Sequence, residues 1–174
     1  MGGYSFIITG PIEAGKSTLC WQVLEYLNQT NVTTSGVITL QNDKKWFYLV
    51  VEKVKISFEA NDRVEFIPIG RFRIHKNNLN RTISSIKAGI DSDYLFIDEI
   101  GQLELQGSGY YPILDAVLSR EQGNILVVRE NLLDEFLSQF PQTKAYKIIQ
   151  VKNRETILPL NTIKTYIKQQ DKSI

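Results

Sequence analysis

The stretch Gly10-Pro11-Ile12-Glu13-Ala14-Gly15-Lys16-Ser17-Thr18 constrains this chain more than any other. A G-x-x-x-x-G-K-S pattern lets the backbone curl so that successive N–H groups point inward at an anion. Tyr4 to Thr9, just before it, is rich in apolar and β-branched residues, and Leu19, Val23, Leu24 and Leu27 recur at helical spacing after it. The order strand, loop, helix aims a helix N-terminus and its dipole at whatever the loop holds. Residues 10 to 18 are therefore expected to cradle a triphosphate. Lys16 would reach the β- and γ-phosphates, and the Ser17 hydroxyl would ligate magnesium, Mg2+. Glu13 is the oddity. A carboxylate turned inward would meet several negative oxygens, so its side chain is expected to face outward, toward solvent, a second substrate or a base such as Arg154.

A second element supports the first. Tyr94-Leu95-Phe96-Ile97 is a continuous apolar run of the kind found in strands buried on both faces, and it delivers Asp98-Glu99 at its end. Open α/β sheets place their ligands at the C-terminal ends of strands. Asp98 is read as the magnesium acid and Glu99 as the general base that orients or deprotonates water. Asp98-Glu99-Ile100-Gly101 fits the D-x-x-G of GTPase switches, but no N-K-x-D follows. Leu118-Ser119-Arg120-Glu121-Gln122-Gly123 resembles the signature peptide of transporter ATPases but follows the acidic strand instead of preceding it.

The rest of the chain reads as an α/β alternation with a β-rich interruption. Short β-like runs at 36–40, 45–51, 64–68 and 71–74 are spaced closely enough for antiparallel hairpins inserted into a sheet. Leu79, Ile83, Ile86 and Ile90 predict a helix. Helix over 112–120, strand over 125–128, helix over 132–140, strand over 146–151 and a last helix over 162–169 follow. One domain over residues 1–174, with a hairpin insertion over 36–75, is the expectation for 174 residues. A net charge of +1, 43% hydrophobic residues and the lack of a long apolar window predict a soluble, cytoplasmic protein without a membrane span or a specific nucleic-acid partner. One cysteine and one histidine provide neither an internal disulfide nor a zinc site.

These motifs resemble the small P-loop nucleoside-triphosphatases, the family that includes the cancer-related nucleoside-triphosphatase and relatives in thermophilic microbes. The resemblance spans nearly the whole chain. It rests on the loop at 10–18, on Ser35-Gly36-Val37-Ile38-Thr39, on Asp98-Glu99-Ile100-Gly101-Gln102-Leu103-Glu104-Leu105, and on Asn153-Arg154 followed by Leu158-Pro159. It implies a three-layer P-loop NTPase sandwich with a mostly parallel central sheet. It also implies magnesium-dependent hydrolysis of ATP, GTP and other nucleoside triphosphates with loose base selectivity. By the same resemblance Asn153 and Arg154 would lie near the base or the phosphates, and Arg154 would stabilise transition-state charge. The chain departs from the family pattern where Pro-Gly is replaced by Ile12-Glu13, where Gln41 replaces an acid, and where Leu103 replaces Met.

His75 has no sequence neighbour suited to catalysis, Cys20 reads as a buried inert thiol, and Trp21, Trp46, Phe47 and Tyr48 read as core. Glu104 is open between a site role and a local hydrogen-bonding one. Two alternatives to hydrolysis stand beside it. One is a kinase whose acceptor pocket is built by 36–74; the other is a nucleotide-dependent regulatory module.

Overall fold

A computed structural model of the chain describes residues 3–171. Its spine is a seven-stranded sheet that starts at the edge with β4 (Val54–Ser57) and β3 (Lys45–Leu49) and continues in the order β2-β7-β8-β1-β9. Five of these strands run parallel: β2 (Thr34–Gln41), β7 (Tyr94–Ile100), β8 (Gly123–Val128), β1 (Phe6–Thr9) and β9 (Lys147–Gln150). Alternation along the inner strands assigns their side chains to two cores. Phe6, Ile8, Phe96, Ile125 and Val127 join one face, whereas Ile7, Leu95, Ile97, Leu126 and Val128 join the other. Both faces are covered, which is why these strands read as unbroken apolar runs.

Helices α1 (Lys16–Leu27) and α6 (Ile157–Asp171) cover the first face through Leu19, Val23, Leu27 and Ile163. Helices α2 (Lys76–Ala88), α4 (Tyr111–Leu118) and α5 (Leu133–Gln139) cover the second through Ile86, Leu114, Val117 and Phe136. The three-layer α/β sandwich with a mostly parallel sheet is thus the fold. No helix among the described residues is long and apolar enough to cross a membrane.

The structure divides the β-rich interruption differently from the sequence reading. β2 is an integral parallel strand, paired Thr34 to Tyr94 through Val37 to Ile97, and the antiparallel part begins only at β3 (Lys45–Leu49). The apolar pair Val50-Val51, expected to extend β3, lies in a turn instead, and β4 (Val54–Ser57) forms an additional edge strand. β5 (Phe66–Ile69) and β6 (Phe72–His75) make a separate hairpin, tied on by His75 N–H donating to the Phe58 carbonyl. Short α3 (Gln102–Leu105) was not legible as a helix. α6 starts five residues earlier than expected, because Pro159 lies in its first turn, where a missing N–H is harmless. The Glu155 carboxylate accepts from Ile157 and Leu158 N–H there.

At Gly36, on β2, there is no room for a side chain beside β7. The glycine's φ is +102°, and a β-carbon would stand 2.0 Å from the Phe96 carbonyl oxygen.

Candidate active site

The loop between β1 and α1 is shaped by backbone demands that its residues meet unequally. Gly10 (φ +147°) lies so close to the turn after β9 that a β-carbon would meet the Val151 carbonyl oxygen at 2.1 Å. Gly15 (φ +102°) forms the N-cap of α1. Glu13 also has positive φ, 60°, a conformation that glycine adopts freely and that costs another residue about 1–2 kcal/mol. The glycine usual there in the resembling family follows from this backbone. Glu13's side chain is 77% exposed, and its carboxylate lies 3.9 Å from the equally exposed Arg154 guanidinium. Lys16 Nζ donates to the carbonyls of Gly10 and Pro11, at 2.9 and 2.6 Å. Ala14 is buried, whereas Pro11, Ile12 and Thr18 face solvent.

A two-residue turn lies on this loop. Lys152 and Glu155 form a bridge, and the residues between them, Asn153 and Arg154, both have positive φ (53° and 59°), as a type I′ connection demands. Arg154 N–H donates to the Ala14 carbonyl at 3.0 Å, and its Cα is among the nearest atoms to a β-carbon built on Gly15. The Asn-Arg pair thus sits over the 14–15 end of the loop with its side chains exposed.

β8 separates β1 from β7, so Asp98 and the loop start two strands apart. They nevertheless meet, with the Ser17 hydroxyl facing the Asp98 carboxylate and favouring its charged form. Asp98 is 1% exposed. Burial raises its carboxyl from 3.8 to about 7, Glu99's like charge adds to the rise, and the Ser17 hydroxyl, the Thr39 N–H and Lys16 oppose it. Thr39 fixes the pair from β2, donating its N–H to Asp98 Oδ2 at 3.2 Å and its hydroxyl to the Asp98 carbonyl.

The β7–β8 register shifts between Ile97 and Ile100, and such bulges re-aim side chains. Glu99, half-buried, accepts from Arg129 Nε at 3.0 Å. Arg129 is the first residue after β8, where the adjacent strand ends. The sequence reading passed over it, although a polar residue directly after the apolar run 125–128 was the available signal. Thr39 and Lys45 were likewise not singled out for the site; nothing local to Lys45 marks it, since its placement depends on how β3 folds back.

Glu104 has a structural task. Its buried carboxylate accepts from Gly101 N–H at 2.8 Å and Tyr110 N–H at 3.1 Å, pinning the segment after Glu99. Burial raises its pKa, and those hydrogen bonds work against the rise. His75 caps α2, its Nδ1 accepting from Asn78 N–H at 3.4 Å. Cys20 is buried in α1.

Comparison with known proteins agrees with this geometry. The family described as NTPase matches residues 5–161. Among curated relatives, nucleoside-triphosphatase THEP1 of Thermococcus kodakarensis is 25% identical over 140 residues, covering 74% of this chain and 78% of the relative. That of Archaeoglobus fulgidus is 25% identical over 158 residues, covering 86% and 92%. A solution structure of a human cancer-related nucleoside triphosphatase superposes with a TM-score of 0.69 at 18% identity, covering 96% of this chain and 98% of that one.

Proposed function

The chain belongs to the NTPase family, and from that premise we propose that it hydrolyses nucleoside triphosphates to diphosphate and phosphate where the 10–18 loop meets Asp98-Glu99. One observation carries this reading. The Ser17 hydroxyl faces the buried Asp98 carboxylate and favours its charged form, while the adjacent Glu99 is held apart by Arg129.

The loop's N–H groups and the α1 N-terminus would bind the phosphates, with Lys16 leaving the Gly10 and Pro11 carbonyls for the β- and γ-oxygens. Ser17 and Asp98 fit a hard cation: both offer oxygen, and an anionic Asp98 in so dry a place requires a positive neighbour. Magnesium, when bound, would neutralise charge on the β- and γ-phosphates. Glu99 then orients the attacking water and takes its proton, and the Arg129 contact keeps the carboxylate aimed. Arg129 also places positive charge beside the reacting group. Asn153 and Arg154 would contact the nucleotide from the 14–15 side. Ile157 and Leu158, exposed and apolar just beyond that turn, offer a base only apolar contact, and this favours use of both ATP and GTP.

Steady-state phosphate release from ATP, GTP, CTP and UTP, with and without magnesium, tests the proposal. All four are expected to turn over within about tenfold of one another, a spread of ~1.4 kcal/mol. Glu99→Gln should lower turnover by about 10²-fold or more. The reading fails if no triphosphate is hydrolysed or if Glu99→Gln matches the parent.

A further inference from the structure

Glu99 forms part of the wall of a second compartment. A cavity of about 500 Å3 lies between the C-terminal ends of β2, β7 and β8 and the β3–β6 region that folds across them. No residue of the 10–18 loop lines it. Water occupies ~30 Å3, so a chamber meant only to position a hydrolytic water would need well under a tenth of this space. The volume is instead that of a small-molecule site.

The chemistry of the lining is specific. Phe47, Phe58 and Phe72 form an aromatic wall, with ring centroids 4.9 Å apart for the first pair and 6.0 Å for the second. Lys45, Arg71 and Arg129 bring three cations, against Glu99 and Glu104. Glu104 is already committed to two backbone N–H groups, and Arg129 to Glu99. Lys45 and Arg71 have no ion-pair partner among the described residues. The Lys45 ammonium rests 4.3 Å from the Phe72 centroid and 5.1 Å from that of Phe58. Burial lowers its pKa, and nearby Glu99 only partly offsets this. A half-buried cation over aromatic rings, without an anion, is half of a recognition site.

We infer that this cavity is a phosphoryl-acceptor site for a small hydroxyl-bearing molecule with a flat apolar body and a carboxylate or phosphate group held by Lys45 and Arg71. The inference rests on the nucleotide reading above and deepens it. The flat body lies against the phenylalanine wall, and the acceptor hydroxyl meets Glu99. Glu99 takes the hydroxyl proton as the acceptor oxygen bonds to the γ-phosphorus. The bond from that phosphorus to the β–γ bridging oxygen breaks, and its electron pair leaves with the diphosphate. Hydrolysis is the same step with water in place of the acceptor.

The test uses two sets of probes: AMP and UMP bear a phosphate, 4-hydroxyphenyllactate and 3-hydroxybenzoate a carboxylate. Calorimetry is run on protein saturated with a non-hydrolysable ATP analogue, so that the nucleotide site is filled. Transfer is followed with γ-labelled ATP. One set is expected to bind with Kd below about 1 mM, to raise diphosphate release and to acquire the label. Lys45→Met should weaken binding by about tenfold or more, while Lys45→Arg, which keeps the charge, should stay within about threefold. The inference is overturned if neither set binds at about 10 mM, if Lys45→Met binds as the parent does, or if a bound probe never acquires label. Phosphate release without any probe reports on the hydrolase reading alone, so the two can fail separately.

Discussion

Asp98→Asn is expected to stabilise the metal-free protein at neutral pH while abolishing turnover. The Asp98 carboxyl is pushed from 3.8 to about 7, chiefly by burial. Its folded value lies above its unfolded value, so the folded state holds the proton more tightly. Below about pH 4 both states are protonated and the group costs nothing; between there and about pH 7 the cost grows, and above that it is constant. A displacement from 3.8 to about 7 corresponds to ~4 kcal/mol at ~1.36 kcal/mol per pH unit. Asparagine keeps the shape but offers a single oxygen to the Ser17 hydroxyl and the Thr39 N–H, and its own amide donors must find partners, at a cost of about 1–2 kcal/mol. The net gain near pH 8 is thus about 2 kcal/mol, or ~4–8 °C in melting temperature for a chain of this size. Thermal denaturation in EDTA across this pH range measures it. The variant should exceed the parent near pH 8 and lose its advantage near pH 4, and added magnesium should raise only the parent. A variant less stable than the parent at every pH would refute the argument that a desolvated charge dominates this position.

Glu13→Gly should raise the melting temperature by about 2–4 °C, since relief of a positive-φ side chain outweighs loss of an exposed ion pair worth under ~0.5 kcal/mol; triphosphate affinity should change less than about tenfold. Gly36→Ala should cost about 3 kcal/mol or more, seen as lost soluble yield or a melting temperature lower by at least ~6 °C, because the added carbon would meet the Phe96 carbonyl. Arg129→Lys keeps the charge but not the Nε contact to Glu99. In steady-state kinetics kcat should fall about tenfold with KM little changed. Cys20, whose thiol pKa is raised by burial and then by Asp98, should resist thiol reagents in the native protein and react in denaturant.

The parts of this molecule legible in advance are those in which local chemistry coincides with a tertiary role. The inner strands announce themselves because burial on both faces demands unbroken apolar runs. The loop announces itself because close backbone approach demands glycine at 10 and a positive φ favours it at 15. β3 and β4 were harder to bound, since the edge strand β4 buries little and Val50-Val51 are as apolar in a turn as in a strand. The short helix at 102–105 lacks the length to display a period. Glu104 could not be assigned from sequence, because its two partners, Gly101 and Tyr110, lie on either side of it in segments whose path only the fold defines.

By itself the sequence determined that a glycine loop would join a strand to a helix N-terminus, and that Asp98-Glu99 would close an apolar strand. It also led to the expectation that the acid at position 13 faces outward, where its side chain is exposed. Only the tertiary structure decided that β8 stands between those two elements and brings Arg129 to Glu99. It likewise showed that position 13 carries a left-handed backbone, and that β3 folds back to set Lys45 over an aromatic wall. The physical reason is one of range. Motifs encode backbone geometry within a few residues, whereas the pairing of Glu99 with Arg129 depends on which strand ends the sheet sets side by side, and that of Lys45 with Phe72 on where the separate β5–β6 hairpin packs.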